Sequence, residues 1–98
     1  MEIKIHSIHF DADRKLLEHI QEKVSKLTLF FDNIITCEVF LKLDKNSEKE
    51  NKITEIKILI PGKELFAKKQ CKSFEEATDL VAEALRKQVV KHKEKNEA

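Results

Sequence analysis

Proline and glycine are almost absent from this sequence, which has one of each among its 98 residues. That scarcity excludes a collagen-like, loop-rich or low-complexity chain. The two cysteines are too few for a disulfide scaffold, and no apolar run approaches the roughly 18 residues that cross a membrane. Residues 1–5 have no basic stretch followed by an apolar one, so they do not form a signal peptide. These absences favour a reducing, cytoplasmic setting and no membrane partner.

What is present indicates one small domain with a densely charged surface. The length predicts a single domain, residues 1–98, with one thin core. Charged residues make up 38% of the chain, yet 19 Lys and Arg nearly balance 18 Asp and Glu. Nucleic-acid binding depends on where charges lie, so their distribution matters more than their sum. Residues 75–83 carry four acidic side chains and no basic one, whereas residues 86–95 carry five Lys or Arg and one Glu.

The first third of the chain predicts a strand followed by a helix. Residues 2–8 begin with the alternation of apolar and polar side chains that is typical of a strand. Asp11 or Asp13 can cap a helix over about residues 13–31, whose apolar side chains recur at helical spacing. Asp32-Asn33 is expected to end this helix.

Three further strands are predicted in the middle of the chain, over residues 34–43, 52–60 and 63–71. Residues 44–51 are polar without an anchor, which predicts a mobile loop, and Pro61-Gly62 predicts a tight turn. Alternation along the three strands assigns one set of side chains to the core. This set comprises Ile35, Cys37, Val39, Leu41, Leu43, Ile56, Ile58, Ile60, Leu65, Ala67 and Cys71.

A second helix follows Ser73-Phe74-Glu75-Glu76, which has the pattern of a capping box, and is expected to fray beyond His92. The resulting order is β-α-β-β-β-α, an α+β fold. A right-handed crossover makes the first two strands parallel if they are adjacent, and the last three form an antiparallel meander. Both helices are therefore expected to cover one face of a four-stranded mixed sheet.

No catalytic or metal-binding constellation stands out. The four histidines, His6, His9, His19 and His92, have no metal-ligand spacing, and both cysteines fall on inward strand positions as small buried hydrophobes. One glycine can hardly supply a phosphate-binding loop, and a thin core leaves little room for a deep substrate pocket. The sequence therefore predicts a protein that is not an enzyme, without catalytic residues, metal or cofactor.

Basic side chains form stripes on both predicted helices. The stripe on the first helix, expected opposite the core, comprises Lys15, His19, Lys23 and Lys26. On the second helix, Arg86 and Lys93 share one outer flank, and Lys87 and Lys91 share the other. Helices lying side by side would join these stripes into one basic surface, which suits the backbone of A-form RNA. Taken alone, each lysine is explained as a solvated charge or as a complement to the helix dipole.

A second candidate surface lies on the sheet face away from the helices, where Phe40, Leu59 and Phe66 are expected to point. Three large apolar groups on neighbouring strands can form a partner surface. Ordinary cross-strand packing on a half-exposed sheet also explains them and is the preferred interpretation.

Three segments together resemble the short-form ribosome hibernation-promoting factors, the family that includes ribosome-associated inhibitor protein Y. In the first segment Lys23 and Lys26 precede Phe30-Phe31-Asp32-Asn33-Ile34; the second is residues 58–67 around Pro61-Gly62; the third is residues 85–95 with Lys91-His92-Lys93. The resemblance covers nearly the whole chain. It implies the same β-α-β-β-β-α order, in a fold like that of double-stranded-RNA-binding domains.

The resemblance implies a protein that binds the small ribosomal subunit in the channel used by mRNA and tRNA. Such proteins inhibit translation by occupancy, preserve idle ribosomes in stationary phase or starvation, and catalyse no reaction. It also implies that basic helix faces meet ribosomal RNA. The positions that carry this role by resemblance are Lys23, Lys26, Lys87, Lys91 and Lys93, with adjacent Arg86 and with His92, which either packs or contacts RNA.

Two departures from the family pattern leave alternatives open. Pro61-Gly62 stands where the family often has Gly-Gly, and the sequence stops soon after Lys95, without the long form's second domain or the extended tail of protein Y. The protein could therefore favour or oppose ribosome dimers, with or without a separate modulation factor. The alternative function is a protein-interaction module that uses Phe40, Leu59 and Phe66, and a weak homodimer through that face fits either function.

Overall fold

The computed structural model describes residues 1–97, with side chains through Lys95, and confirms the predicted β-α-β-β-β-α order. Ala98 lies outside the described residues. The elements are β1 (Glu2–Ser7), α1 (Arg14–Ser25) continued by a 3-10 turn (Lys26–Leu29), β2 (Thr36–Leu43), β3 (Lys52–Ile60), β4 (Lys63–Cys71) and α2 (Phe74–Glu97).

The four strands form one mixed sheet in the order β1-β2-β3-β4. The pair β1 and β2 is parallel, as the crossover through α1 requires, and the other two pairs are antiparallel. One row of paired residues, Ile5, Val39, Ile56 and Ala67, runs across all four strands. Gly62, with φ of 76°, occupies the second central position of the β3–β4 turn, where few other residues are comfortable.

Both helices lie on the same face of this sheet, where their apolar sides bury the inward strand residues. Ile20 and Val24 of α1 and Val81, Leu85 and Val89 of α2 are at most 1% exposed. The buried strand residues beneath them are Cys37, Val39, Leu41, Ile56, Ile58, Ile60, Leu65, Ala67 and Cys71. Within residues 1–97 no helix lies on the opposite face of the sheet, so the layer between the helices and the sheet is the core.

Two residues that the alternation assigns to the core are instead exposed. Ile35 is 50% exposed and Leu43 is 40% exposed. Ile35 lies just before β2 and Leu43 is its last residue, so both sit at the ends of the strand, where the helix layer does not cover them fully. Alternation predicts the direction of a side chain but not whether another element reaches it.

Helix α1 is shorter than predicted. Asp13 caps it, with Oδ1 accepting a hydrogen bond from the Leu16 amide at 2.8 Å, but the α-helix ends at Ser25 rather than near residue 31. The chain tightens into a 3-10 turn, in which the Thr28 hydroxyl donates to the Ser25 carbonyl at 2.7 Å. Short 3-10 turns are common at helix ends because they satisfy the last carbonyl groups.

Helix α2 begins as predicted and extends further. The Ser73 hydroxyl accepts a hydrogen bond from the Glu76 amide at 3.1 Å, which is the serine half of the capping box. Fraying is predicted beyond His92, whereas the helix continues to Glu97, through a run rich in the strong helix formers Lys and Glu. Gln88 joins α2 to the sheet, because its Nε2 donates to the Phe66 carbonyl on β4 at 3.0 Å.

The segment between β2 and β3 has anchors that the sequence does not reveal. The Asp44 amide donates to the Asn51 carbonyl at 2.9 Å, which closes the segment at its base. Gln70 of β4 donates from Nε2 to Asp44 Oδ2 at 2.9 Å and to the Glu50 carbonyl at 2.7 Å. The hydrogen bonds that the Asp44 carboxylate accepts from the Asn46 amide and from the Gln70 side chain lower its pKa. The prediction that this segment has no anchor is therefore wrong, because Gln70 on β4 holds it in place.

The buried and exposed isoleucines of the sheet give a matched test of this core. We expect Ile58→Ala to lower the free energy of unfolding by about 2–5 kcal/mol, because it removes buried methyl groups and leaves a cavity. Ile35→Ala, the same substitution at a half-exposed position, is expected to cost less than about 1 kcal/mol. Urea unfolding followed by circular dichroism measures both, and equal losses would contradict the assignment of Ile35 to the surface.

Candidate functional site

The basic residues predicted from the sequence fall into two groups in the structure. Lys23, Lys26 and Arg86 line a cleft of about 170 Å³ between α1 and α2, called here the interhelix cleft. Its apolar lining is provided by Leu27, Phe30 and Ala82, and two carboxylates, Asp79 and Glu83, complete it. Lys87, Lys91 and Lys93 lie along the last turns of α2, outside this cleft.

Two residues of the predicted basic stripe of α1, His19 and Lys23, are turned toward α2, whereas Lys15 is exposed. His19 Nε2 lies 2.7 Å from Asp79 Oδ1, and Lys23 Nζ lies 3.8 Å from the same oxygen. Both side chains are about one third exposed or less. This arrangement links the two helices across their contact, so His19 and Lys23 contribute to helix packing as well as to surface charge.

The other two cations of the interhelix cleft also have acidic partners. Lys26 pairs with Glu22 at 3.3 Å, the i,i+4 pair expected from the sequence. Arg86 binds Glu83 in a forked contact, with Nε 3.0 Å from Oε2 and Nη2 on the second oxygen. This hydrogen bonding lowers the pKa of the Glu83 carboxyl and raises the pKa of Arg86. The guanidinium carbon lies 5.6 Å from the centre of the Phe30 ring, within reach of a cation–π contact.

The lysines near the end of α2 are electrostatically different from those in the cleft. Among the side chains described through Lys95, no carboxylate lies within 4 Å of the ammonium groups of Lys87, Lys91 or Lys93. Lys91 shares a groove beside β4 with Lys63, which follows the β3–β4 turn, and with the carboxylate Glu64. Lys87 adds to the effect of Arg86 in lowering the pKa of Glu83, so it is near a carboxylate without forming an ion pair. These lysines therefore have no ion-pair partner among the described side chains, and Lys63 belongs with them although the sequence pattern does not indicate it.

Two roles are predicted for His92, packing within the protein and contact with RNA. Its ring meets the Phe31 ring edge-to-face, with centroids 6.0 Å apart, and the residue is half-buried. Phe31 in turn packs against the core. The packing contact is therefore present, and contact of His92 with RNA stays a prediction.

The open sheet face is less apolar than the alternation indicates. Leu59 and Phe66 are 40% and 48% exposed, but Phe40 is partly covered by the stacked His6 ring, 5.0 Å away. Glu55 and Lys57 of β3 lie between Phe40 on β2 and Phe66 on β4 in the register. Phe40 and Phe66 therefore do not form one continuous patch.

Ion pairs fill the space between these apolar groups. Glu38 lies 3.0 Å from His6 and 3.6 Å from Lys57, whereas Glu55 lies 3.0 Å from Lys42 and 3.9 Å from Lys68. Each carboxylate thus bridges two strands, because opposite charges alternate across the register. The open face therefore consists mainly of charged side chains in cross-strand pairs, with two exposed apolar side chains, Leu59 and Phe66.

Neither cysteine is placed for chemistry. Cys37 on β2 and Cys71 on β4 are both buried, and β3 lies between them. Two strand spacings separate them by at least about 9 Å, too far for a disulfide. Burial raises the pKa of the Cys37 thiol to about 12 and also raises the pKa of Cys71. Among the described residues there is no group of three or more side chains able to hold a metal ion.

The described part of the chain also contains no helix that is both long and apolar enough to cross a membrane. Helix α2 has the length, but charged residues recur along it.

Comparison with known proteins gives one consistent answer. The family model described as sigma 54 modulation protein / S30EA ribosomal protein matches residues 3–97. A relative from Pseudomonas putida, named ribosome hibernation promoting factor, is 30% identical over 98 residues, which cover 100% of this chain and 92% of the relative.

Two solved structures share the fold. A ribosomal subunit interface protein from Coxiella burnetii matches with a TM-score of 0.85 and 22% identity, over 95% of this chain and 98% of that one. The N-terminal domain of protein Y from Thermus thermophilus matches with a TM-score of 0.81 and 19% identity, over 94% of this chain and 99% of that one. The predicted four-stranded mixed sheet with two helices is confirmed by both.

The thiol of Cys37 provides a test of burial at the sheet. Its pKa is raised above the ordinary 9.0, so the native thiol stays protonated between about pH 9 and 12, where that of the unfolded chain ionises. Folding therefore loses stability in this range. In a Cys71→Ala background, we expect Cys37 to react with an aromatic disulfide reagent at pH 8 only as fast as the protein unfolds. Rapid reaction of the folded protein, compared with the urea-unfolded control, would contradict this burial.

Proposed function

The chain belongs to the sigma 54 modulation protein / S30EA ribosomal protein family, and from that premise we propose that it is a ribosome hibernation factor. It binds the small ribosomal subunit in the channel that mRNA and tRNA use, and it inhibits translation by occupying that channel. It acts in the cytoplasm and preserves idle ribosomes during starvation or stationary phase. It carries out no catalysis, and its partner is the ribosomal RNA of the small subunit.

The observation that carries this proposal is the set of lysines near the end of α2 that have no ion-pair partner among the described side chains. Lys87, Lys91 and Lys93 project from one helix with no carboxylate within 4 Å among the described side chains. A phosphate that approaches them displaces only water and counterions, so each contact adds to affinity. Such contacts fix the position of a protein on the RNA backbone and do not themselves distinguish sequences.

The interhelix cleft extends this surface at a smaller gain per contact. Lys23, Lys26 and Arg86 already have carboxylate partners, so a phosphate must compete with Asp79, Glu22 or Glu83. Solvent screens these exposed pairs and makes them weak, so RNA can exchange them. We therefore expect α2 to supply most of the affinity and α1 to supply orientation, with His92 at their shared end.

Steric exclusion follows from the rigidity of this surface. Both helices pack through fully buried side chains such as Ile20 and Leu85 onto one sheet. The basic residues are therefore held in a fixed spacing before binding, which lowers the conformational entropy lost on association. A rigid body seated on the RNA of the channel leaves no room for mRNA or tRNA.

Leu59 and Phe66 are the observation that favours an alternative function, a protein-interaction module on the open sheet face. They are the two exposed apolar groups there and lie diagonally across β3 and β4. The ion-paired Glu38 and Glu55 around them must be desolvated by any apolar partner, which weakens such an interface. A homodimer through this face would be weak for the same reason.

Charge reversal on the helices is the primary test. We expect replacement of Lys23, Lys26, Lys87 and Lys91 by Glu to abolish cosedimentation with purified small ribosomal subunits while circular dichroism stays that of a folded protein. Of the two half-sets, Lys87→Glu with Lys91→Glu should weaken binding more than Lys23→Glu with Lys26→Glu, since the latter lysines are already paired.

The matched control reverses four lysines outside the two helices, Lys4, Lys45, Lys49 and Lys72, with the same change in net charge. This variant is expected to bind like the wild type. Full affinity in the folded helix variant, or equal losses in both variants, would contradict binding through these helix faces. Pairing of ribosomes is followed in the same gradients, where it gives particles that sediment faster than single ribosomes.

Salt dependence separates the proposed function from the alternative. Phosphate contacts release counterions, so the logarithm of the binding constant should fall linearly with the logarithm of salt concentration, by about 0.7–0.9 per contact. Six contacts predict a loss of roughly a thousandfold between 50 and 200 mM salt. Leu59→Ala with Phe66→Ala should leave ribosome binding unchanged. Binding that survives high salt and is lost in this double variant would favour the sheet face instead.

A further inference from the structure

A cleft of about 540 Å³ forms where three distant parts of the chain meet. One wall comes from the segment that follows α1, with Phe30, Asp32 and Asn33; Pro61 of the β3–β4 turn and Lys93 of α2 supply the others. These are the same three segments that carry the family resemblance, residues 30–34, 58–67 and 85–95. The proposed RNA contacts use only Lys93 and His92 of this cleft, so the wall formed by Phe30, Asp32 and Asn33 has no assigned role there.

The local fold explains why polar groups face this cleft. Phe31 and Ile34 turn inward and pack against the core. Because they anchor the segment on both sides of Asp32 and Asn33, these two side chains are held at the surface. Phe30 is 37% exposed, with its position fixed by the 3-10 turn before it.

The chemistry of the lining matches one class of ligand. A peptide helix would require a continuous apolar groove, and a bare phosphate would require cations alone. Here aromatic surface from Phe30 is combined with the amide of Asn33, the carboxylate of Asp32 and the ammonium of Lys93. Unpaired RNA bases are recognised by stacking on aromatic rings and by hydrogen bonds to their edges, with a cation for the adjoining phosphate.

The cleft is also continuous with the proposed RNA surface. Phe30 lines both this cleft and the interhelix cleft, and Arg86 of the interhelix cleft shares one flank of α2 with Lys93. An RNA backbone that follows this flank from Arg86 to Lys93 passes the mouth of the cleft. Charge complementarity along this path favours a nucleotide as its occupant.

We propose that this cleft binds one unstacked nucleotide of the small-subunit RNA, with the base against Phe30 and its phosphate on Lys93. The inference rests on the proposed function and deepens it, since it adds direct recognition of a base to contacts that only position the protein. The Asp32 carboxylate accepts hydrogen bonds from amino groups and from the imino N–H of guanine or uracil, and the Asn33 amide both donates and accepts, so the lining recognises the edge of a base without selecting one base.

Chemical probing of RNA in the bound complex tests this assignment. Small ribosomal subunits are saturated with wild type, Asn33→Ala or Phe30→Ala, and bound protein is quantified by cosedimentation of the same sample. Dimethyl sulfate and kethoxal then report on exposed adenine, cytosine and guanine, and a carbodiimide reagent reports on uracil. Phe66→Ala is the matched control, because it removes an exposed phenylalanine from the opposite face of the molecule.

We expect one unpaired base to be protected by wild type and by Phe66→Ala, and to regain at least fivefold reactivity with Asn33→Ala and Phe30→Ala. Phe30→Ala should also weaken binding about tenfold, the loss expected for one stacked base. Asn33 is exposed, so its variant stays informative if Phe30→Ala unfolds.

The possible failures are distinguishable. Absence of wild-type cosedimentation would overturn the proposed function, whereas normal cosedimentation with the same protections in all four proteins would overturn the nucleotide site alone. Loss of the same protection with Phe66→Ala would show that the effect does not arise in this cleft.

Discussion

Burial of one sheet face beneath both helices is the contact on which the rest of the structure depends. Ile56 and Ile58 of β3 and Val81 and Leu85 of α2 are completely buried in it. A chain of this size has apolar area for one such layer, so every other face meets water. The helices must therefore lie side by side, and their uncovered flanks form a single broad surface. Charge placed on those flanks is held rigidly at no further cost in folding.

Local sequence patterns predict the fold well where an element depends on its own residues. The bounds of β3 and β4 follow from alternation and from the single Pro61-Gly62 turn, and the start of α2 follows from its cap. Predictions are wrong where the structure of a segment depends on residues that are distant in the sequence. Gln70 anchors the segment after β2 from 26 residues away, and the exposure of Ile35 depends on where the helix layer ends.

The candidate site shows the same difference between what local sequence predicts and what the tertiary structure decides. Composition and helical spacing identify which side chains are basic, but pairing across the helices decides which of them are neutralised. Asp79 meets Lys23 across 56 positions of sequence, and only the packed fold brings them to 3.8 Å. The resemblance located the three segments around the cleft near Phe30, yet their convergence is a property of the tertiary structure. The pairing of charges and the shape of the cleft are thus the properties of this site that the sequence predicts least well.

The hydrogen bond from Gln88 to the Phe66 carbonyl has a consequence for self-association. Strand β4 lies at the edge of the sheet, where unpaired backbone groups can serve as a template for a strand of another molecule. A second copy that paired there would have to displace Gln88 and bring the lysines of β4, Lys63, Lys68 and Lys69, against their own counterparts. The Gln88 side chain and the repulsion between these lysines therefore disfavour strand-to-strand polymerisation through β4 when the protein accumulates.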